Sequence, residues 1–207
     1  MIHPQQWQNA LHQLDCIASQ QQLQQLQDYL ELLQRWNKVY NLTAVRNPAD
    51  MLPLHIFDSL SVAHFINGNN CLDVGSGAGL PGIPLAIMQS ERQFTMLDTN
   101  GKKTRFIQQA IIQLKLDNAN VVQTRIENWQ SPQKFDAIIS RAFASIADFI
   151  TTSSKHLAPT GTLYAMKGQY QQTEINEIPK GFKLKTVHKL QVPELNAERH
   201  LVEIIKK

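Results

Sequence analysis

Four of the nine glycines in this 207-residue chain, Gly75, Gly77, Gly79 and Gly82, fall within eight residues. They follow the apolar run Cys71–Val74, which carries an acid, Asp73, two places before the first of them. Glycine reaches positive φ without penalty and lets a ligand lie directly against the backbone. The amides of a helix opening after such a turn point at whatever sits over the strand's carboxyl end, and the helix dipole favours a negative group there. The chemistry implied is that of a nucleotide-type ligand held by backbone. A second acid, Asp98, ends the next apolar run, Phe94–Leu97, where its carboxylate can accept from both hydroxyls of a ribose. Its alternative is the N-cap of the following helix. After a third run come Arg125, Ile126 and Glu127: a backbone amide there can donate to a ring nitrogen of adenine while the Glu127 carboxylate accepts from the amino group. Arg141 follows a fourth run, where a reacting group would lie, with a surface ion pair as its alternative. Lys102, Lys103 and Arg105 open a helix, where cations oppose the dipole, so an anionic substrate accounts for them better than local stability does.

The glycine spacing fits two ligands. Gly77, Gly79 and Gly82 satisfy G-x-G-x-x-G with Asp98 as the ribose acid, the dinucleotide pattern. Asp73, Gly75, Gly77 and Gly79 together read D-x-G-x-G-x-G, which resembles motif I of the Rossmann-like S-adenosylmethionine methyltransferases. That cofactor carries one adenosine, no pyrophosphate and an amino-acid end that an acid near the loop can anchor. A packing turn without ligand explains the stretch less well, because alternating glycines weaken strand and helix with no packing gain.

These residues need a sheet to position them. Apolar strands at Cys71–Val74, Phe94–Leu97, Ala119–Gln123, Phe135–Ser140 and Leu163–Met166 alternate with helices near Ile83–Gln89, Lys102–Leu116 and Ile146–His156. Such alternation gives a mostly parallel α/β sheet with right-handed crossovers. The last pair, Leu184–Leu190 and Leu201–Ile205, is joined by a segment too short for a crossover helix and reads as an antiparallel hairpin at one edge. The first forty residues read as helix, with Leu23, Leu26, Leu30, Leu33 and Trp36 forming one apolar stripe. A second helical region follows Pro48, in which His55 and Asp58 are spaced to share a face and bond each other as a structural pair. Residues 1–69 are thus expected as a helical extension packed on the core, and residues 70–207 as the ligand-binding domain.

Composition narrows the remaining choices. No apolar run is long enough to span a membrane, and the polar start is not a signal peptide, so a cytoplasmic protein is expected. Cys16 and Cys71 are too few for a disulfide framework or a cysteine zinc site, and no metal is expected. Charge is uneven: net −2 over residues 1–69, +2 over 70–142 and +3 over 143–207. The excess beside the motif suits a polyanionic partner, although a solvated mixed surface would look the same.

Further stretches link the chain to one family. Trp36-Asn37-Lys38 with Asn41-Leu42-Thr43, His55 with Asp58-Ser59-Leu60, Asp73 through Pro84, Asp98 with Asn100 and Lys102-Lys103, Ser140-Arg141-Ala142, Met166-Lys167-Gly168-Gln169, and Glu198 through Val202 resemble the bacterial small-subunit rRNA guanine-N7 methyltransferases, the glucose-inhibited division protein B family. The resemblance implies a Rossmann-like methyltransferase fold with seven strands, S-adenosylmethionine as cofactor, and a guanine of 16S rRNA as substrate. It implies that Gly75, Leu80, Ile126, Glu127 and Arg141 contact the cofactor, which Asp73, Gly77, Gly79 and Asp98 would also help to hold. Thr99 and Ile126 stand where the family usually has Ser and Ala; the first keeps a hydroxyl and the second acts through its backbone. Guanine N7 carries a lone pair and no proton, so no general base is required. Arg141 and Arg125 become the candidate catalytic groups. Lys102, Lys103, Arg125, Lys167 and Arg199 become a basic rim for the RNA backbone, and the working unit is expected to be a monomer. A small-molecule methyltransferase would share the cofactor site without needing that rim. A dinucleotide oxidoreductase and a noncatalytic RNA chaperone are the other classes.

Overall fold

The structure is a computed structural model that describes residues 4–141 and 143–207. Met1, Ile2 and His3 of the polar start, and Ala142 of the Ser140-Arg141-Ala142 stretch, lie outside the described residues. Seven strands form one sheet: β1 (Asn70–Val74), β2 (Gln93–Asp98), β3 (Ala119–Gln123), β4 (Phe135–Ser140), β5 (Leu157–Lys167), β6 (Phe182–Leu190) and β7 (Arg199–Lys206), in the order β3-β2-β1-β4-β5-β7-β6. The first five pair in parallel, and β7 runs antiparallel between β5 and β6. The chain therefore reverses its direction of travel across the sheet between β1 and β4. Their carboxyl ends flank the crevice where ligands bind in such sheets.

Period-two alternation divides the strand side chains between two cores. Cys71, Phe94, Met96, Ala137, Ile139 and Met166 face one way, and Leu72, Val74, Leu97, Ile138, Leu163 and Ala165 the other. The second face is covered by α7 (Ile146–Ser153), through Ile146, Phe149 and Ile150. The first is covered by α5 (Gly82–Met88), α6 (Gly101–Leu114) and the helices before β1. Those are α1 (Pro4–Gln13) and α2 (Gln20–Tyr40), then α3 (Pro48–Met51), a π-helical turn Leu52–Phe57 and α4 (Asp58–Leu60). Trp7, Leu26, Leu30 and Leu33 of this N-terminal part belong to the same buried cluster as Ile83 of α5 and Phe106 of α6. A short α8 (Gln172–Asn176) follows β5. Among the described residues no helix is long and apolar enough to cross a membrane.

The glutamines of α2 have specific partners. Ser19 and Gln22 form a capping box at its start. Gln22 Nε2 also donates to the Ile87 carbonyl at 3.0 Å, and Gln25 Nε2 to the Leu114 carbonyl at 2.7 Å. Carbonyls at the ends of α5 and α6 have no partner within their own helices, and these amides supply one. The expected first helix is in fact two, because Asp15 takes φ +51° and residues 14–19 turn the chain. The fifth strand starts at Leu157, six residues before the expected Leu163, and carries Pro159 and Gly161 within it.

Candidate active site

The turn after β1 is clamped at several points. Gly75, Gly77 and Gly79 take φ +70°, +59° and +81°. The Gly75 and Ser76 amides donate to the Leu97 carbonyl at 2.8 and 3.1 Å, tying the turn to the end of β2. Asp98, buried, accepts from the Gly77 amide at 2.8 Å through Oδ2 and from the Asn100 amide at 2.8 Å through Oδ1. The buried Tyr29 hydroxyl of α2 donates to the Ala78 carbonyl at 2.6 Å. Asp73 sits beneath the turn, where its Oδ2 accepts from the Gly82 amide at 2.9 Å and its Oδ1 has no hydrogen-bond partner. Burial pushes the Asp73 carboxyl up to about 7, against the lowering effects of the Gly82 amide and the Arg141 charge. A Cβ on Gly82 would lie 2.6 Å from the Met96 side chain, so β2 and the start of α5 can approach only at glycine. At Gly77 a Cβ would meet nothing within 4 Å, because this part of the turn faces open space.

That space is a cavity of about 200 Å³, lined by Gly75, Ser76, Gly77, Leu80, Arg141 and the Leu42-Thr43 turn that follows α2. Arg141, just after β4, also lines a second cavity of about 340 Å³ with Val45, Leu54, Asp58, Met166 and Arg199. One residue therefore lines both cavities, and its guanidinium is held on the side of the second. Its Nη1 donates to Asp58 Oδ2 at 2.9 Å and to the Leu54 carbonyl at 3.3 Å. Arg199, at the start of β7, donates through Nε to Asp58 Oδ1 at 2.8 Å. Asp58 is 2% exposed, and each of its oxygens serves one arginine.

The turn that supplies Leu42 and Thr43 is fixed by a polar relay. Buried Asn37 donates to the Val45 carbonyl at 2.9 Å and accepts from the Thr43 amide at 2.9 Å. Thr43 Oγ1 lies 3.0 Å from His55 Nε2, and His55 Nδ1 lies 3.0 Å from the Leu54 carbonyl. The carbonyl can only accept, so this network assigns the proton to Nδ1 and makes Nε2 the acceptor. Burial, followed by the Arg141 charge, lowers the His55 pKa to about 4, so the ring is neutral at physiological pH. The expected His55–Asp58 pair is corrected here: His55 bonds Thr43 and Leu54, while Asp58 bonds the two arginines. The π-helical turn is the reason, since i→i+5 bonding shifts residues three apart off a common face.

The other expected residues lie as follows. Asp98 does not cap α6; Asn100 does, accepting from the Lys102 amide at 2.9 Å. Ile126 is buried with its carbonyl 3.1 Å from His156 Nε2, and the exposed Glu127 follows it. Lys102 and Arg125 are exposed and Lys103 is half-buried. Lys167 is bound to Glu174 and to the Ala144 carbonyl, both at 2.8 Å, and Arg199 to Asp58, so neither stands as a free cation on the rim. Arg125 lines neither cavity. Sequence reasoning passed over Tyr29 and the Leu42-Thr43 turn as site residues. The signal for the turn lay in Asn37, Asn41 and Thr43, residue types that leave a helix to bond nearby backbone.

A backbone-lined cavity over the switch point, beside a β7 strand inserted antiparallel into an otherwise parallel sheet, is the architecture of the Rossmann-like methyltransferase fold. Solved structures with this fold include a SAM-dependent methyltransferase from Aquifex aeolicus, with TM-score 0.57 and 15% identity, covering 75% of this chain and 93% of that one. Another is a SAM-dependent methyltransferase from Thiobacillus denitrificans in complex with S-adenosyl-L-homocysteine, with TM-score 0.51 and 12% identity, covering 73% of this chain and 90% of that one. At such identities the likeness concerns the fold alone.

The sequence resolves the class further. The family model of rRNA small subunit methyltransferase G, GidB, matches residues 22–202. The ribosomal RNA small subunit methyltransferase G of Photobacterium profundum is 48% identical over 195 residues, 94% of this chain and 95% of that protein. That of Colwellia psychrerythraea is 45% identical over 209 residues, 100% of this chain and 99% of that protein. The chain belongs to the rRNA small subunit methyltransferase G family, and its cofactor is S-adenosylmethionine. The glycine turn fits that cofactor, since the open side of Gly77 leaves room against the loop backbone; Ile126, Glu127 and Asp98 line neither cavity.

Proposed function

We propose that this chain transfers a methyl group from S-adenosylmethionine to N7 of a guanine in 16S rRNA, working as a monomer in the cytoplasm. The carrying observation is the placement of Arg141 in the walls of both cavities, one over the glycine turn and one open beside it. S-adenosylmethionine, when bound, supplies an electrophilic methyl on its sulfonium. The turn from Gly75 to Leu80 would hold its amino-acid end, Asp98 its ribose, and Ile126 with Glu127 its adenine. Asp73 acts from beneath, keeping the Gly82 amide in place.

Guanine N7 needs no base, and the neutral His55, with both ring nitrogens engaged, is consistent with a site that moves no proton. What remains is approach in line with the breaking bond and exclusion of water. An arginine gripping O6 and N7 together, the usual bidentate contact, would block the nucleophile. Arg141 therefore holds O6 alone, or a flanking phosphate, while it orients the cofactor. Arg125 is exposed and lines neither cavity, and its role moves to the RNA backbone together with Lys102 and Lys103.

The test is transfer of labelled methyl to small ribosomal subunits from cells lacking this enzyme, followed by borohydride and aniline cleavage at 7-methylguanosine. A single cleavage in 16S rRNA is expected. Label without that cleavage would overturn the N7 assignment, and absence of label from both subunits and naked rRNA would favour a small-molecule substrate.

A further inference from the structure

The second cavity has its own chemistry. Val45, Leu54, Met166 and Leu190 give it hydrocarbon walls, and Arg141 and Arg199 converge on Asp58 at one end. Its volume of about 340 Å³ lies in the range of pockets for small ligands. A phosphate would gain nothing from the apolar walls; a flat ring would. The two guanidiniums offer only N–H donors, and Asp58 offers lone pairs beyond those its arginines occupy. Guanine matches this set, presenting the O6 acceptor next to the N1–H donor, whereas adenine puts an amino donor where O6 would be.

We infer that this cavity receives the target guanine after it leaves its stack, with the ring faces against the apolar walls and O6 toward the arginines. The inference rests on the function proposed above and adds where the base sits and what selects it. O6 and N7 are neighbours on one edge of the ring, so a guanidinium holding O6 brings N7 to the wall that this cavity shares with the glycine turn. Asp58 then has two roles, positioning both guanidiniums by one oxygen each and accepting from the N1–H of the base. Unstacking the nucleotide is a cost met by these contacts.

Gly168 offers a direct test. It lines this cavity and not the other, and a Cβ placed on it would meet nothing nearer than 3.8 Å. Gly168→Leu puts a side chain in the space reserved for the base. Affinity for S-adenosylmethionine and for the subunit should stay near the wild-type values, while methyl transfer at saturating subunit falls about 100-fold, as expected when a reacting group is displaced. Leu54→Trp, from another wall, should behave alike. In parallel, wild-type protein is irradiated with rRNA carrying 6-thioguanosine at the methylated position, so that sulfur replaces O6. A crosslink to Leu54–Asp58, Met166–Gly168 or Arg199–His200 is expected. A folded Gly168→Leu enzyme that transfers methyl at the wild-type rate, or a crosslink confined to other segments, would overturn the pocket while leaving the methyltransferase intact. Wild-type enzyme that methylates no guanine of the rRNA would overturn both.

Discussion

Asp58→Ala is the most informative single perturbation. The substitution removes a carboxylate that is 2% exposed and leaves two guanidiniums, with side chains 28% and 23% exposed, facing each other without their shared counter-ion. Removing one partner of a fully buried ion pair costs about 3–5 kcal/mol. Water reaches roughly a quarter of each arginine, so a loss of about 2–3 kcal/mol is expected here. For a domain of this size that corresponds to about 4–12 °C in the melting midpoint. Arg141 would also lose the contact that fixes it between the cavities, and cofactor affinity should fall about tenfold, or about 1.4 kcal/mol. Asp58→Asn keeps the volume and one acceptor and should show a smaller loss of both. Thermal denaturation and calorimetric titration with S-adenosylmethionine measure the two effects separately. If Asp58→Ala melted within about 1 °C of wild type and bound cofactor equally well, the two ion pairs would be energetically idle and the positioning argument would fail.

Other perturbations probe the same framework. Tyr29→Phe leaves the Ala78 carbonyl without its buried donor and should cost about 1–3 kcal/mol in denaturant unfolding. Gly77→Ala forces a side chain onto φ +59° at about 1–2 kcal/mol, and its methyl enters the cofactor space, so affinity measured by titration should fall in addition to stability. The Asp73 carboxyl is raised from 3.8 to about 7 in the folded protein. The unfolded chain therefore releases this proton first, and stability declines as pH rises from about 4 to about 7, by roughly 4 kcal/mol at most. Asp73→Asn should flatten that part of the stability–pH curve; an unchanged slope would show that Asp73 titrates normally. Subunit binding should weaken steeply with salt, and Lys102→Gln and Lys103→Gln should each lower the log–log slope by about 0.7–0.9.

The sheet was legible because period-two apolar runs bounded by turn residues leave little choice. The expected limits of β3 and β4, Ala119–Gln123 and Phe135–Ser140, coincide with the observed ones. The early part of β5 was hidden because Pro and Gly are disfavoured in strands, yet Pro159 and Gly161 sit in one whose pairing with β4 shifts register between Phe135 and Ala137. Residues 14–19 concealed a break, since Cys16, Ile17 and Ala18 are compatible with helix; the Ser19–Gln22 capping box marks the new start, and the backbone at Asp15 makes the turn. The glycine turn announced itself through composition. The arginine cluster did not: Asp58, Arg141 and Arg199 come from three elements, 83 and 141 residues apart along the chain. Lys167 and Glu174 lie only seven residues apart, but nothing in the residue types distinguished a paired lysine from a free one.

Arg141, standing in two walls, makes the two ligands thermodynamically answerable to each other. If bound S-adenosylmethionine draws the guanidinium toward the glycine turn or holds it in place, it changes the free energy of filling the neighbouring cavity. Linkage then requires the RNA to change cofactor affinity by the same factor. Product release belongs to the same cycle, because loss of the methyl removes the sulfonium charge on one side of this arginine while the methylated base gains a positive charge on the other. The fixed guanidinium is thereby relieved of one cation and confronted with another, so that a single side chain can favour the methylated strand's departure before the spent cofactor's.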